Sequence, residues 1–263
     1  MNDNNNLVWY AAYGSNLLQE RFICYIEGGK PEGAANEYPP CADTSAPREA
    51  RNFDLQHELI FAKNSRNWQM GGVAFVKREH DPECATFARI YLITREQFHH
   101  VAQWETGGNP IDDINIDEAI AEGSTVFKRP SWYGLVVYLG EVDNIPVFTL
   151  TDEAAITAYS KPSPQYLTQI VNGLRETYNY TNNEIYQYLK TKNGVVGNYK
   201  DFELFDVAAG LLNPKRDLTK KLLSDFAKEY DGMPEGEAKQ QMKPAMDEFM
   251  RKYYDGFNFD YLE

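Results

Sequence analysis

The segment YAAYGSNL at residues 10–17 has the residue types and order of a strand-to-helix turn that could bind an anion. An apolar, aromatic run begins at Leu7 and stops at Gly14, as a buried strand would, and helical residues follow from Ser15 or Asn16. The first N–H groups of a helix have no partner inside the helix, so such a turn offers them to a carboxylate or to a developing oxyanion. The alternative is that Ser15 or Asn16 only caps the helix.

A second candidate is Glu105, which follows a predicted helix and lies between Trp104 and Thr106. A carboxylate beside an indole ring and near the end of a strand is partly removed from water. Desolvation raises its pKa toward the neutral range that a proton shuttle needs. The chain has 39 Asp and Glu residues, however, and a single Glu is by default a solvated surface charge. The position of Glu105 in the chain does not by itself separate these two interpretations.

The remaining reactive side chains form no recognised catalytic or metal-binding pattern. The histidines lack metal-ligand spacing, no HExxH is present, and the serines lack a GxSxG elbow. Gly71 and Gly72 do not form a nucleotide-binding glycine loop. The three cysteines, Cys24, Cys41 and Cys84, are widely spaced and contain no CxxC pair, which disfavours a disulfide framework and a cysteine zinc site.

The elements that must position these residues are short strands with a few helices. Short β-branched and aromatic runs bounded by turn residues predict strands at residues 7–13, 57–63, 71–77, 87–93, 132–140 and 146–151. Helices are predicted at residues 16–25, 94–104 and 163–178, where Thr94 and Gln97 resemble a capping box and Pro164 falls in a first turn. The strands are too closely spaced for a doubly wound parallel sheet. The pattern favours an α+β fold with a small mixed, β-barrel-like sheet and flanking helices.

The chain divides into two parts of different character. Residues 27–51, rich in Gly, Pro, Ala and charge, predict a long loop, and residues 109–125 predict an acidic loop with a short helix. From residue 182 onward, four amphipathic segments predict helices separated by Asn, Gly and Pro signals. We therefore predict a domain at residues 1–180 and a helical extension at residues 181–263.

Composition limits the classes of partner. Of the 263 residues, 43% are hydrophobic, which is enough for a sizeable core. The 26 Lys and Arg residues against 39 Asp and Glu residues give a net charge of −13, which disfavours binding to nucleic acid or to an anionic membrane surface. No apolar run is long enough to span a membrane, and the start MNDNNN lacks the features of a secretory signal. Together with the cysteine pattern, this predicts a cytoplasmic location.

Four motifs in the same order resemble the γ-glutamylcyclotransferase family. They are YGSNL at residues 13–17, the Gly-Gly strand segment WQMGGVAF at 68–75, FARIY at 87–91 with Trp104-Glu105 after the next helix, and KPSPQY at 161–166. The resemblance covers roughly residues 7–175, and YGSN is its most specific part. It implies a γ-glutamylcyclotransferase-like domain at the N-terminal end of the chain.

The family reaction that this resemblance implies is an internal aminolysis. The α-amine of a γ-glutamyl compound attacks its own γ-carbonyl, which releases 5-oxoproline and a free amine or amino acid. The resemblance implies that Glu105 is the catalytic acid and base, and that no metal or organic cofactor is needed. It implies a substrate-binding set made of Tyr10, Ala11, Ala12, Tyr13, Gly14, Ser15, Asn16 and Tyr166. Asn16 is typical of the general γ-glutamyl amino acid or γ-glutamylamine branch, and a monomer or homodimer is expected.

Three positions near Glu105 depart from the family pattern. Ala88 and Thr106 stand where the family usually has Gly, and Ala102 stands where it usually has Asp. These departures leave open a second hypothesis, in which the same fold is a non-catalytic module that binds a small carboxylate or a protein partner. The enzyme hypothesis requires that the Glu105 carboxylate points into a cavity beside the backbone of residues 13–16.

Overall fold

Eight strands form two sheets in the part of the chain that the structure describes. The computed structural model describes residues 6–31, 37–210 and 239–244, with isolated positions 232, 234 and 236. The strands are β1 (Leu7–Ala12), β2 (Glu49–Leu55), β3 (His57–Ser65), β4 (Gly71–His80), β5 (Thr86–Thr94), β6 (Ser124–Val126), β7 (Leu135–Val142) and β8 (Ile145–Thr151). Six of them form one sheet in the order β2-β5-β1-β8-β7-β6, and β3 pairs with β4 in a separate hairpin. β1 lies antiparallel to β5 and parallel to β8, which makes the large sheet mixed.

Helices flank this sheet. They are α1 (Gln19–Glu27), α2 (Arg95–Glu105), α3 (Ile116–Glu122), α4 (Pro164–Tyr178), α5 (Asn182–Leu189) and α6 (Asp201–Ala208). The architecture is therefore α+β with a mixed sheet and flanking helices, which confirms the predicted fold class. The strand order is open, with β2 and β6 at its edges, so the sheet does not close into a complete barrel.

The central strand β1 is buried on both faces, because successive side chains of a strand point to opposite sides. Leu7, Trp9 and Ala11 belong to a hydrophobic core shared with the β3–β4 hairpin and with α4, α5 and α6. Val8 and Tyr10 belong to a second core that contains side chains from α1, α2 and α3. Burial on both faces explains why this strand appears in the sequence as a continuous apolar run.

Two predicted helices begin where local sequence signals place them. α2 begins after Thr94, whose side chain accepts a hydrogen bond from the Gln97 backbone while the Gln97 side chain accepts one from the Thr94 backbone. α4 begins with Pro164 after Ser163, whose hydroxyl accepts a hydrogen bond from the Tyr166 backbone at 3.2 Å. Both starts confirm the prediction, since caps depend on residues only three positions apart.

Two strands are not predicted by the sequence patterns. β2 begins inside the predicted loop of residues 27–51 and pairs with β5 at the sheet edge. Glu49, Arg51, Asn52 and Asp54 interrupt its apolar residues, so it lacks the apolar run by which the other strands were found. β6 is only three residues long. The short helix predicted within residues 109–125 is confirmed as α3.

The C-terminal region is described in part. α5 and α6 correspond to the first two predicted helical segments, and their buried side chains join the core that contains α4. The division at residue 180 stays a prediction, and most of the last two predicted segments lies outside the described residues. None of the helices in residues 6–31, 37–210 and the few described positions beyond has the length and apolar content needed to cross a bilayer.

Candidate functional site

The turn after β1 is a short 3-10 helix and not the first turn of α1. The 3-10 turn spans Ser15–Leu17, and α1 begins only at Gln19. Neither start carries a side-chain cap, so the alternative in which Ser15 or Asn16 caps a helix is wrong. The first hydrogen bond of the turn runs from the Leu17 N–H to the Gly14 carbonyl at 3.1 Å. The N–H groups of Ser15 and Asn16 precede it and are not used by the turn itself.

A small cavity of about 40 Å³ lies at this turn. Its lining residues are Tyr10, Ala12, Tyr13, Gly14, Ser15, Asn16, Ala74, Glu105, Tyr133, Leu150 and Tyr166. The structure thus brings together Glu105, Tyr166 and the predicted turn residues, with one difference. Ala11 lies outside this wall: its side chain is buried in the core that contains Trp9, and its carbonyl accepts a hydrogen bond from the Thr149 hydroxyl at 2.7 Å.

Three wall residues were not found from the sequence. Ala74 lies within the Gly-Gly segment, but Tyr133 and Leu150 belong to runs that predicted only strands. The Tyr133 hydroxyl donates a hydrogen bond to the Ala74 carbonyl at 2.9 Å, and the Leu150 carbonyl accepts one from the Tyr13 hydroxyl at 2.7 Å. No motif in the local sequence marks Tyr133 or Leu150, because only their tertiary partners place them at the pocket.

Glu105 reaches this pocket because of the strand order. β5 runs antiparallel to β1, so Thr94 at its end pairs with Leu7 at the start of β1. From there α2 packs back along β1. Its 11 residues cover about 16 Å at ~1.5 Å per residue, close to the ~20 Å of the 6 residues of β1. The end of α2 therefore lies beside the turn that follows β1.

The carboxyl group of Glu105 is hydrogen-bonded and has a raised pKa. Its Oε1 accepts a hydrogen bond from Asn16 Nδ2 at 2.7 Å. Burial raises the pKa of this carboxyl above its ordinary value, because the ionised form loses hydration. Hydrogen bonds from Tyr25 and Asn16, and the positive charge of Arg21, oppose this effect without cancelling it. The pocket thus holds a carboxyl group that binds a proton more tightly than a surface glutamate does.

Asn16 presents a second unusual group. The residue is 5% exposed, and its Oδ1 is buried without a hydrogen-bond partner in the described structure. Most buried carbonyl oxygens in native proteins accept at least one hydrogen bond. Because Asn16 lines the cavity, this oxygen is an acceptor for the N–H groups of a ligand.

The tyrosines in the pocket wall are neutral hydrogen-bonding groups. Burial raises the pKa of Tyr10, Tyr13 and Tyr166 above the ordinary phenol value, so each keeps its proton at neutral pH. The Tyr166 hydroxyl accepts a hydrogen bond from the Ala74 backbone N–H at 3.0 Å. Among the groups that line the cavity, Glu105 is therefore the one suited to exchange a proton near neutral pH.

Gly71 and Gly72 allow β4 to approach the segment that precedes α4. A Cβ atom at Gly72 would lie 2.3 Å from the Ser160 carbonyl oxygen, and one at Gly71 would lie 2.5 Å from the Ser163 backbone nitrogen. The Gly72 N–H donates to the Lys161 carbonyl at 2.8 Å. This close contact joins two of the four motifs and holds the start of α4, which carries Tyr166 into the pocket wall.

The three departures from the family pattern lie beside the site and not in its wall. Ala88 and Ala102 are fully buried in the two cores. The Thr106 hydroxyl donates to the Ala102 carbonyl at 2.9 Å and so closes the end of α2. None of the three side chains lines the cavity.

No other cavity or side-chain cluster among the described residues brings the predicted site residues together. A larger cavity of about 630 Å³ lies between β2, the β4–β5 connection and the β6–β7 pair, and none of the predicted site residues lines it. Among the described residues, no group of three or more His, Cys, Asp or Glu side chains is arranged to hold a metal ion. Cys24, Cys41 and Cys84 are free thiols.

Comparison with known proteins gives few matches. No protein-family profile matches the chain. Over 200 residues, 69% of this chain, it is 32% identical to histone deacetylase 5 of Arabidopsis thaliana, and it spans 30% of that protein's length. A solved γ-glutamyl cyclotransferase aligns at a TM-score of 0.43 and 19% identity, covering 78% of this chain and 99% of the other. An uncharacterized human protein aligns at 0.43 and 17%, covering 77% and 98%. The function is therefore inferred from the geometry of the site itself.

Proposed function

We propose that this chain is a γ-glutamylcyclotransferase-type enzyme that converts a γ-glutamyl compound to 5-oxoproline and a free amine or amino acid. One observation carries the proposal. The Glu105 carboxyl has a raised pKa and lies in the same small cavity as the turn at residues 13–16, hydrogen-bonded to Asn16 at 2.7 Å. This is the arrangement that the enzyme hypothesis requires of the structure.

In the proposed reaction, Glu105 transfers protons from the attacking nitrogen to the departing nitrogen. The carboxylate takes a proton from the α-ammonium group of the substrate, and the free amine attacks the γ-carbonyl carbon to form the lactam C–N bond. Glu105 then gives this proton to the departing nitrogen as the original amide bond breaks. The second proton lost by the attacking nitrogen passes through the regenerated carboxylate to the released amine, which becomes an ammonium ion. A carboxyl group with a raised pKa suits both halves of this transfer. The attack is intramolecular, so no covalent enzyme intermediate is needed.

The surrounding groups match the other demands of the reaction. The backbone N–H of Asn16 supplies a hydrogen bond to the oxyanion that forms at the γ-carbonyl, and the Ser15 N–H, which bonds to Tyr166 in the free protein, supplies a second. The unpartnered Oδ1 of Asn16 accepts a hydrogen bond from the substrate amine and keeps it beside Glu105. In line with the sequence, Asn16 favours a general γ-glutamyl amino acid or γ-glutamylamine as the substrate class.

The cavity must enlarge before a substrate can bind. Its 40 Å³ hold roughly three water molecules, which is less than a glutamyl group needs. We therefore expect side chains of the wall to rotate when the substrate enters. That movement expels water from the site and strengthens the hydrogen bonds and charges inside it.

The test is a panel of γ-glutamyl amino acids and γ-glutamylamines with detection of 5-oxoproline. Glu105→Gln keeps the shape of the side chain but removes its acid–base function, and we expect a loss of about 10²- to 10⁴-fold in kcat/KM. Glu96→Gln, an exposed position in the first turn of the same helix, is the matched control and should keep full activity. Full activity of the Glu105→Gln variant would refute the proposed role.

The second hypothesis, a non-catalytic carboxylate-binding module, predicts a different result. It predicts that no substrate in the panel is turned over while glutamyl compounds still bind, as measured by calorimetry. We propose no deacetylase activity, because this chain spans only 30% of histone deacetylase 5 and no contact in the described site points to that reaction.

A further inference from the structure

Arg21 is a buried cation without the partners that such a group normally has. It lies in α1, directly after the turn, and is 7% exposed. Its Nε and Nη1 are buried and donate no hydrogen bond within the described structure. Other arginines in the same region are satisfied: Arg89 pairs with Glu176 at 2.8 Å, and Arg175 donates to Asn182 at 2.7 Å.

An unpaired buried charge calls for an explanation. Removing a guanidinium group from water is unfavourable unless a counter-charge or hydrogen-bond acceptors compensate it. Arg21 lies over the ring of Trp68, 4.9 Å from the guanidinium carbon, and its charge is attracted by that of Glu105. A cation–π contact supplies attraction but accepts none of the N–H hydrogen bonds. The Nε and Nη1 N–H groups therefore lack acceptors in the described structure, and an anionic ligand would supply them.

Arg21 also lies next to the candidate site. The Trp68 ring that it contacts packs against Tyr166 with ring centroids 5.0 Å apart, and Tyr166 lines the cavity. The positive charge of Arg21 favours the ionised forms of both Glu105 and Tyr166, which face the same cavity. A carboxylate bound at Arg21 would thus lie close to the proposed base.

We propose that the Arg21 guanidinium binds the α-carboxylate of the γ-glutamyl group. This inference rests on the proposed function, in which the substrate amine lies at Glu105. The α-carboxylate is bonded to the same carbon as that amine, so it must lie within a few ångströms of Glu105, whose charge Arg21 influences. The leaving group is at the far end of the substrate.

The net negative charge of the protein is a second reason why an anionic substrate would need a cation such as Arg21. With a net charge of −13, the protein as a whole repels an anionic substrate, and Glu105 adds a negative charge inside the cavity. A local cation with free N–H groups offsets both effects. Arginine suits this position because its planar fork can donate two parallel hydrogen bonds to one carboxylate.

The experiment compares a γ-glutamyl substrate with its α-carboxamide analogue in the wild type and in Arg21→Gln. We expect the variant to raise KM for the carboxylate substrate by about ten- to hundredfold and to leave KM for the carboxamide unchanged. Arg51→Gln is the control, because Arg51 also lies over an indole, 5.1 Å from the ring of Trp9, but pairs with Glu49 and Asp143 and does not line the cavity. An equal effect on both substrates would show a merely structural role and overturn the proposal.

A second variant and a binding measurement test the role of Arg21 further. If Arg21→Gln does not fold, Arg21→Lys retains the charge but not the planar fork, and it should weaken binding of the carboxylate substrate alone. Binding of the two compounds to Glu105→Gln, measured by calorimetry, separates this inference from the proposed function. Arg21-dependent preference for the carboxylate, together with no turnover by the wild type, would support the binding site and refute the enzyme. Turnover without that preference would refute the binding site alone.

Discussion

Loss of the hydrogen bond between Asn16 and Glu105 should change the pH dependence of the proposed activity by a predictable amount. Asn16→Leu removes the 2.7 Å bond from Nδ2 to Oε1 at similar side-chain volume. This bond lowers the pKa of Glu105, so its loss should raise that pKa further above its ordinary value. A hydrogen bond to a charged group contributes about 1.5–3 kcal/mol, and one pKa unit corresponds to about 1.36 kcal/mol. Because Glu105 is only partly buried, we take the lower end and expect a rise of about one unit.

The assay is the pH profile of kcat/KM for 5-oxoproline release, which reports the free enzyme. Glu105 must be ionised to accept the substrate proton, so activity falls at acid pH as Glu105 becomes protonated. The acid limb should therefore move to higher pH in Asn16→Leu, whatever the change in absolute rate. Tyr25→Phe should move it in the same direction, because Tyr25 also donates to Glu105.

A remote amide provides the control for this experiment. Asn198→Leu removes the amide of an exposed residue that donates to the Gly194 carbonyl at 3.1 Å and does not line the cavity. Its acid limb should match the wild type. Titration of the Glu105 carboxyl by NMR in the free protein gives the same quantity without turnover. If the limb and the titration stay in place or move to lower pH in Asn16→Leu, the reasoning about Glu105 is wrong.

Two predictions concern stability, measured by urea unfolding. The raised pKa of Glu105 means that the folded state binds its proton more tightly, so the stability from this group is present below the ordinary value of 4.5 and is lost as pH rises to the folded value. Glu105→Gln should therefore be at least as stable as the wild type at neutral pH, and clear destabilisation there would contradict the burial effect. Gly72→Ala would place a Cβ atom 2.3 Å from the Ser160 carbonyl oxygen, and we expect a loss of about 1–3 kcal/mol in the free energy of unfolding. An unchanged unfolding midpoint would refute that close contact.

Features that depend on neighbouring residues were predictable from the sequence. The starts of α2 and α4 follow from Thr94, Gln97, Ser163 and Pro164, whose capping contacts span three positions. The turn at Gly14 follows from an apolar run that stops at a glycine. The turn itself differs, because a 3-10 turn at Ser15–Leu17 precedes α1 and no side chain caps it.

The edge strands and the wall of the pocket could be predicted less well from the sequence. β2 faces solvent along one side and pairs with a single neighbour, so its sequence lacks the apolar run of a buried strand. Tyr133 and Leu150 carry no local signal, since their place in the wall depends on contacts with Ala74 and Tyr13, far away in the chain. The burial of Arg21 could not be predicted either, because the sequence of α1 is that of an ordinary amphipathic helix.

The sequence by itself determined the α+β class, the main strands and helices, and the candidates Asn16 and Glu105. Only the tertiary structure decided that these two residues meet. Their side chains are 89 positions apart in the chain and 2.7 Å apart in space. The antiparallel pairing of β1 with β5 places the start of α2 beside the start of β1, and the similar lengths of α2 and β1 bring their ends together. Burial at that meeting point, which no local pattern encodes, changes Glu105 from an ordinary surface carboxylate into a group with a raised pKa.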